Sequence, residues 1–142
     1  MKGCIGCEKV AAALAGQDPS LVAVLNHSVL LLGDHQAFPG YAVLWSREHC
    51  RELHHLKPLQ YQGFMQDLRQ ASAAVEKATA CWKLNLASLG NVVQHGHMHL
   101  FPRPEDDPQR LRHPWVHEAH FNEPPTREVR EIWVKRLREA LP

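Results

Sequence analysis

The hydrophobic positions change their period several times along the chain, and each change marks an element. Residues 21–25 and 29–32 are short Leu- and Val-rich runs split by Asn26, His27 and Ser28, which predicts two strands joined by a tight turn. Residues 34–40 carry Pro and Gly and read as a loop, and residues 41–45 follow as a third strand. After Leu56 and Lys57, Pro58 is preorganised for a first helical turn. Leu59, Phe64, Met65, Leu68, Ala71, Val75 and Ala78 then recur at steps near 3.6 residues, so residues 58–80 are expected to be an amphipathic helix whose stripe is core. Leu84 and Leu86, flanked by Trp82 and Asn85, suggest a fourth strand. Gly90 and Asn91 mark a turn before a fifth strand over 92–101, which Pro102 and Pro104 should end. Residues 105–125 hold Pro108, Pro114, Pro124 and Pro125 and read as irregular, pinned by Trp115 and Phe121. A last helix over 126–140 has Thr126 as N-cap and Val129, Ile132, Trp133 and Leu137 on one face. Neighbouring strands with two helices make an α+β fold.

Composition narrows this further. A chain of 142 residues with 44% hydrophobic residues builds one core and has no length for a second. Lys and Arg number 16 against 15 Asp and Glu, and a net charge of +1 gives no broad basic field for nucleic acid or an anionic membrane. Residues 10–15 are too short for the apolar part of an export signal and sit behind Glu8 and Lys9, and no run approaches a membrane span, so a cytoplasmic protein is expected. Its thiols should then be reduced, and Asn26-His27-Ser28 unglycosylated. The Cys4-x-x-Cys7 pair points to metal binding or redox chemistry, while Cys50 and Cys81 look like isolated thiols.

The chain carries 11 His, and their placement is the strongest chemical signal. On a strand, His95, His97 and His99 share one face at Cα spacings of about 6.6 Å, with Gly96, Met98 and Leu100 on the other. Two chemistries use such a row. His-x-His can place two nitrogens on a metal ion, or a neutral imidazole can attack phosphorus while a neighbour donates to the leaving group. Spacing alone leaves both open. His54, His55, His113, His117 and His120 read as solvated surface. Arg103, Arg110 and Arg112 either reach a substrate phosphate or form an ordinary charged loop.

The wider pattern resembles the histidine triad (HIT) family. His95-Gly96-His97-Met98-His99-Leu100-Phe101 is similar to its signature of His alternating with apolar residues, followed by Pro102-Arg103 as in many bacterial members. The resemblance runs in order through Cys4-Ile5-Gly6-Cys7, Val29 to Asp34, Gly40 to Leu44, Arg47-Glu48-His49 and Gly90-Asn91. It implies an antiparallel HIT-like sheet of about five strands with a long amphipathic helix, in a nucleotide-binding domain over 1–104; residues 105–142 are unmatched, an extension expected to pack on the same domain, with the C-terminal helix read from periodicity alone. It further implies hydrolysis or transfer of a nucleoside monophosphate from a phosphoramidate, a dinucleoside polyphosphate or a related ester, by a protein that is often a homodimer. By position, His97 would be the nucleophile on the α-phosphate and His99 would contact phosphate or leaving group. Asp34 would bind the ribose hydroxyls, and Asn85 and Asn91 would bond phosphate or bridging oxygen. Cys4, Cys7, His49 and His95 match a set that holds structural Zn²⁺ in some bacterial members. Several positions depart from the pattern: Asn91 stands for the usual Gln, Val92 for a small hydroxyl residue and Gly96 for a bulky apolar one, and Trp45-Ser46 lacks the proline often found before the basic residue. A nucleotide-binding module with little turnover, and a metalloenzyme built on all three His, are the alternative readings.

Overall fold

In the computed structural model, which describes residues 3–142, the sheet is centred on the most uniformly apolar stretches of sequence. Every residue of β2 (Ser28–Leu32) and β3 (Ala42–Ser46) is buried, as expected of strands covered on both faces. β1 (Leu21–Val24) flanks β2, while β5 (His97–Arg103) and β4 (Lys83–Ala87) continue beyond β3 in the order β1-β2-β3-β5-β4, with all neighbours antiparallel. The expected α+β class and five-stranded antiparallel sheet are present, with boundaries shifted by a residue or two for β1 to β4.

The long helix α2 (Pro58–Thr79) starts at the anticipated proline, and Ala80 closes it in the left-handed region at φ 50°. Phe64, Leu68, Ala71 and Val75 are buried against Leu30, Leu32, Ala42, Leu44 and Leu100 of the sheet, so most of the stripe is core. Leu59 and Met65, expected in that stripe, are exposed, because Met65 lies beside the buried arc and Leu59, in the first turn, lies on nearly the opposite side of the helix. The C-terminal helix α3 (Arg127–Ala140) has the anticipated cap, Thr126 Oγ1 accepting from the Val129 N–H at 3.3 Å. Its buried residues are Val134 and Leu137, joined by partly buried Trp133, and Ile132 faces solvent instead.

The opposite face of the sheet is covered differently. Helix α1 (Ile5–Leu14), which the pattern did not reveal, lays Val10 and Ala13 on Val29, Leu31, Val43 and Trp45. Next to it, residues 105–125 bring Trp115 and Phe121 onto Phe101. This segment is not wholly irregular, since Pro114–His120 form a 3₁₀ helix.

The fifth strand departs most from expectation. It starts at His97, five residues later than the apolar run suggests. Gly96 donates its N–H to the Cys50 carbonyl at 2.7 Å, which binds the chain before His97 to the loop after β3. The strand also runs through Pro102. Pairing with β3 ends at Ala42 with Leu100, so a residue without an N–H lies beyond that partner.

A triad cavity beside a thiol and imidazole cluster

Register places the histidines. His97 pairs with Trp45 and His99 with Val43, so both imidazoles emerge on the face covered by α1 and the 105–125 segment, away from α2 and α3. They form part of the wall of a cavity of about 410 Å³, shared with Asp34, His35, Tyr41, Asn91 and Trp115.

His97 is buried, with its ring stacked on Trp45 at 4.6 Å between centroids. Its Nδ1 lies 2.6 Å from the His95 carbonyl oxygen. A carbonyl only accepts, so this nitrogen carries the proton and Nε2 is a bare lone pair. Nε2 of His97 sits 3.1 Å from Nε2 of His99, and Nδ1 of His99 sits 2.7 Å from the Tyr41 hydroxyl. Burial pushes the pKa of His97 below the ordinary imidazole value, with the hydrogen bond to the His95 carbonyl partly opposing it. Burial and the neighbouring His97 and His35 lower His99 to about 4. Both rings are therefore neutral at pH 7, the state in which an imidazole is a nucleophile.

His95 takes another direction. It lies just before the strand, and its Nε2–H donates to the Ser46 carbonyl at 2.8 Å, which leaves Nδ1 free as a ligand. That nitrogen is 3.6 Å from both Cys4 Sγ and Cys7 Sγ, while His49 Nδ1 is 3.7 and 3.4 Å from the same sulfurs. A tetrahedral ion with ordinary sulfur and nitrogen bond lengths needs such edges to be about 3.6 Å. One potential ligand atom from each of the four residues falls within 4.8 Å of the others, so the cluster is able to hold a metal ion. Gly6 is required there, since a Cβ would lie 2.4 Å from the His95 Cβ. Burial, assisted by Cys4, raises the Cys7 thiol pKa, so a bound cation would displace its proton.

The remaining anticipated residues divide. Asp34 is on the cavity rim, its side chain 77% exposed and bonded to Lys9 Nζ at 3.0 Å. Asn91 also lines the cavity and is exposed. Asn85 does not line the cavity. Its Oδ1 accepts from Arg103 Nη1 at 3.0 Å, which ties it to the buried arginine. Arg103 is not a phosphate ligand, being fully buried and bonded to Asp107 Oδ2 through Nε at 2.9 Å and Nη2 at 2.6 Å. His117, expected in solvent, bonds the other Asp107 oxygen at 3.0 Å, whereas His54, His55, His113 and His120 are exposed. Arg110 lies over the Trp82 ring, 5.5 Å from its centroid.

Gly96 has a packing reason. A Cβ there would stand 2.5 Å from Cys50 Sγ and 3.0 Å from Leu53, so Cys50 fills the space that a bulkier residue would occupy. Cys50 is thus a core residue paired with that glycine. Tyr41 and Lys9 belong to the cavity and had no local signal in sequence.

Comparison with known proteins gives these features a lineage. The sequence matches the HIT domain over residues 15–106, and none of the curated proteins compared with it is a match. Among solved structures, a histidine triad protein from Sinorhizobium meliloti 1021 is similar with a TM-score of 0.75 at 26% identity, covering 85% of this chain and 88% of that one. A protein described as a hypothetical histidine triad nucleotide-binding protein from Sulfolobus tokodaii strain 7 has a TM-score of 0.73 at 17% identity, with 94% and 91% covered. A zinc-bound histidine triad family protein from Mycobacterium smegmatis has a TM-score of 0.67 at 19% identity, with 97% and 92% covered. At such identities the last two show a shared fold alone. With the domain matched over most of the chain and its alternating histidines in the cavity wall, the protein belongs to the histidine triad family.

Proposed function

We propose that the protein is a nucleotide hydrolase or nucleotidyl transferase acting on the α-phosphate of a nucleoside phosphoramidate, dinucleoside polyphosphate or related nucleotide. The observation that carries this reading is the His97 imidazole, protonated on Nδ1 by its bond to the His95 carbonyl and bare on Nε2 in the cavity wall. In the first step the Nε2 lone pair forms an N–P bond as the bond from phosphorus to the leaving group breaks, and that group departs with the bonding pair. In the second, water attacks phosphorus, the N–P pair returns to His97, and nucleoside monophosphate is released. His99 contacts the phosphoryl oxygen or the leaving atom, Asp34 accepts from the ribose hydroxyls, and Asn91 donates to phosphate. Trp115 and Phe121 extend the cavity beyond the matched domain, so the extension over 105–142 takes part in substrate choice.

Cys4, Cys7, His49 and His95 would hold Zn²⁺, which suits two thiolates and two imidazoles in a closed tetrahedral set. Such an ion supplies structural linkage, tying α1 to the sheet end beside His97. Cys4→Ser is expected to lower bound zinc below one equivalent and reduce the melting temperature, while chelation of the parent leaves most AMP release intact. Metal content, thermal unfolding and turnover of adenosine 5′-phosphoramidate measure the three. Turnover strictly dependent on added metal would favour the metalloenzyme reading.

A second reading has its own support. Val92 lines the cavity, 94% exposed, and brings no hydroxyl to phosphate, as suits a nucleotide-binding module with slow turnover. AMP affinity without turnover of either a phosphoramidate or a dinucleoside polyphosphate would select it. We also propose a cytoplasmic homodimer. Exposed Tyr61 and Met65, one turn apart on α2, and Leu86 on the edge strand β4 are apolar residues that such a contact would use, and sedimentation tests it.

A further inference from the structure

The hydrogen bonds around the triad leave one consistent placement of protons, and it ends on a residue outside the triad. His97 Nδ1–H is fixed by the His95 carbonyl, so His97 Nε2 can only accept. The nitrogen facing it at 3.1 Å, His99 Nε2, must therefore carry a proton. A neutral His99 then has a bare Nδ1, which needs a donor, and the Tyr41 hydroxyl 2.7 Å away supplies it. In the opposite arrangement His99 would donate to Tyr41, and two lone pairs would face each other across the triad.

We propose that Tyr41 is a positioning residue for the triad, its O–H locking His99 in the Nε2–H tautomer so that His97 Nε2 stays bare and correctly oriented. The inference rests on the reading of His97 as nucleophile. The surroundings are built to hold the phenol in place. Its ring is stacked between His35, 4.4 Å away between centroids, and Phe101 at 4.5 Å. Gly33 makes room for it, since a Cβ there would fall 2.0 Å from Tyr41 Cδ1. Burial, reinforced by the charge of Asp34, raises the tyrosine pKa well above its ordinary value, so the hydroxyl remains a donor across the working pH range. No proton leaves Tyr41 in this role. When substrate enters, the His99 Nε2–H turns from His97 to the phosphoryl oxygen or the leaving atom, with its other nitrogen still held.

Tyr41→Phe removes the hydroxyl and keeps both ring stacks. Two readouts on the full chain test the inference: steady-state release of AMP from adenosine 5′-phosphoramidate, and the nitrogen-15 shifts of the His99 ring, which report its tautomer. The expected result is a fall in kcat of about 10- to 100-fold with KM changed less than about threefold, because a tautomer error acts on the chemical step. Unliganded His99 should also move from a single Nε2–H tautomer to a mixture. An unchanged tautomer, or an unchanged kcat, or a loss confined to KM overturns the proposal. If the parent releases AMP from neither the phosphoramidate nor a dinucleoside polyphosphate, the nucleophile reading fails separately, and the nitrogen shifts alone decide whether Tyr41 sets the tautomer.

Discussion

Replacing His97 with Ala is expected to lower AMP release by at least about 10³-fold, because the variant lacks the atom that would form the N–P bond. The remaining contacts of the cavity are unaffected, so affinity for AMP should stay within a few-fold of the parent. This separation of turnover from binding distinguishes a nucleophile from a general structural role. His97 is buried against Trp45, and the variant should lose some stability but remain folded at 25 °C, which circular dichroism checks. Activity retained within tenfold would require another group, or a water, to attack phosphorus. The depressed pKa of His97 adds a pH expectation: a nucleophile that stays unprotonated below its usual value of about 6.5 keeps the rate of the chemical step nearly level from pH 7 down past 6.5.

The largest expected effect on stability comes from Arg103. Its guanidinium bonds the Asp107 carboxylate twice, the Asn85 side chain and the carbonyls of Gln109 and Arg112, with its plane near the Phe38 ring. Asp107 receives in addition the Gln109 N–H and His117. Arg103→Ala leaves that carboxylate buried without its cation, a change that costs about 3–5 kcal/mol and, in a domain of this size, roughly 10–20 °C in melting temperature. Urea unfolding of parent and variant measures it, and a loss under about 1 kcal/mol would contradict the account. The segment carrying Trp115 and Phe121 is anchored by the same network, so KM should rise as well. Acid adds a second signature. Burial alone would raise the Asp107 pKa, but the bonds from Arg103, Gln109 and His117 together outweigh it and hold it below its usual value. A depressed carboxylate stabilises the fold fully above its unfolded pKa of about 3.9, and that share is lost as pH falls through the lower folded value. The variant should lack this acid-dependent step.

These two residues also show how far the sequence could be read. His97 was legible because strand alternation is local, and three imidazoles separated by single residues have few explanations. The helix α2 was legible for a similar reason, since a 3.6-residue stripe opened by Pro58 is a local pattern. Helix α1 was not, because its inward positions are Gly6, Val10 and Ala13, too small to make a visible stripe, and what it covers is a distant sheet face. The fifth strand starts later than its pattern suggests: Val92 and Val93 look like strand residues, whereas Gly96 is held by Cys50 from the loop after β3 and His95 by Ser46 at the end of β3. Arg103 could not be separated from the surface arginines by its own neighbours. What buries it is the return of residues 107–117 over its head group, a tertiary fact. Tyr41 reaches His99 across 58 residues, and nothing near either position announces the contact. The Cys4, Cys7, His49 and His95 cluster was anticipated through family resemblance, and the distances between sulfur and nitrogen now give it an independent basis.

The central claim is that transfer passes through a covalent nucleotidyl intermediate on His97, and the stereochemical course at phosphorus tests it most directly. The substrate is an adenosine 5′-phosphorothioate derivative of known configuration, hydrolysed by the parent protein in oxygen-18 water, with the configuration of the product then assigned. Each in-line displacement inverts phosphorus, so attack by His97 followed by attack by water gives overall retention, the result expected here. Overall inversion would mean that water attacks the substrate directly, and His97 would not be the nucleophile.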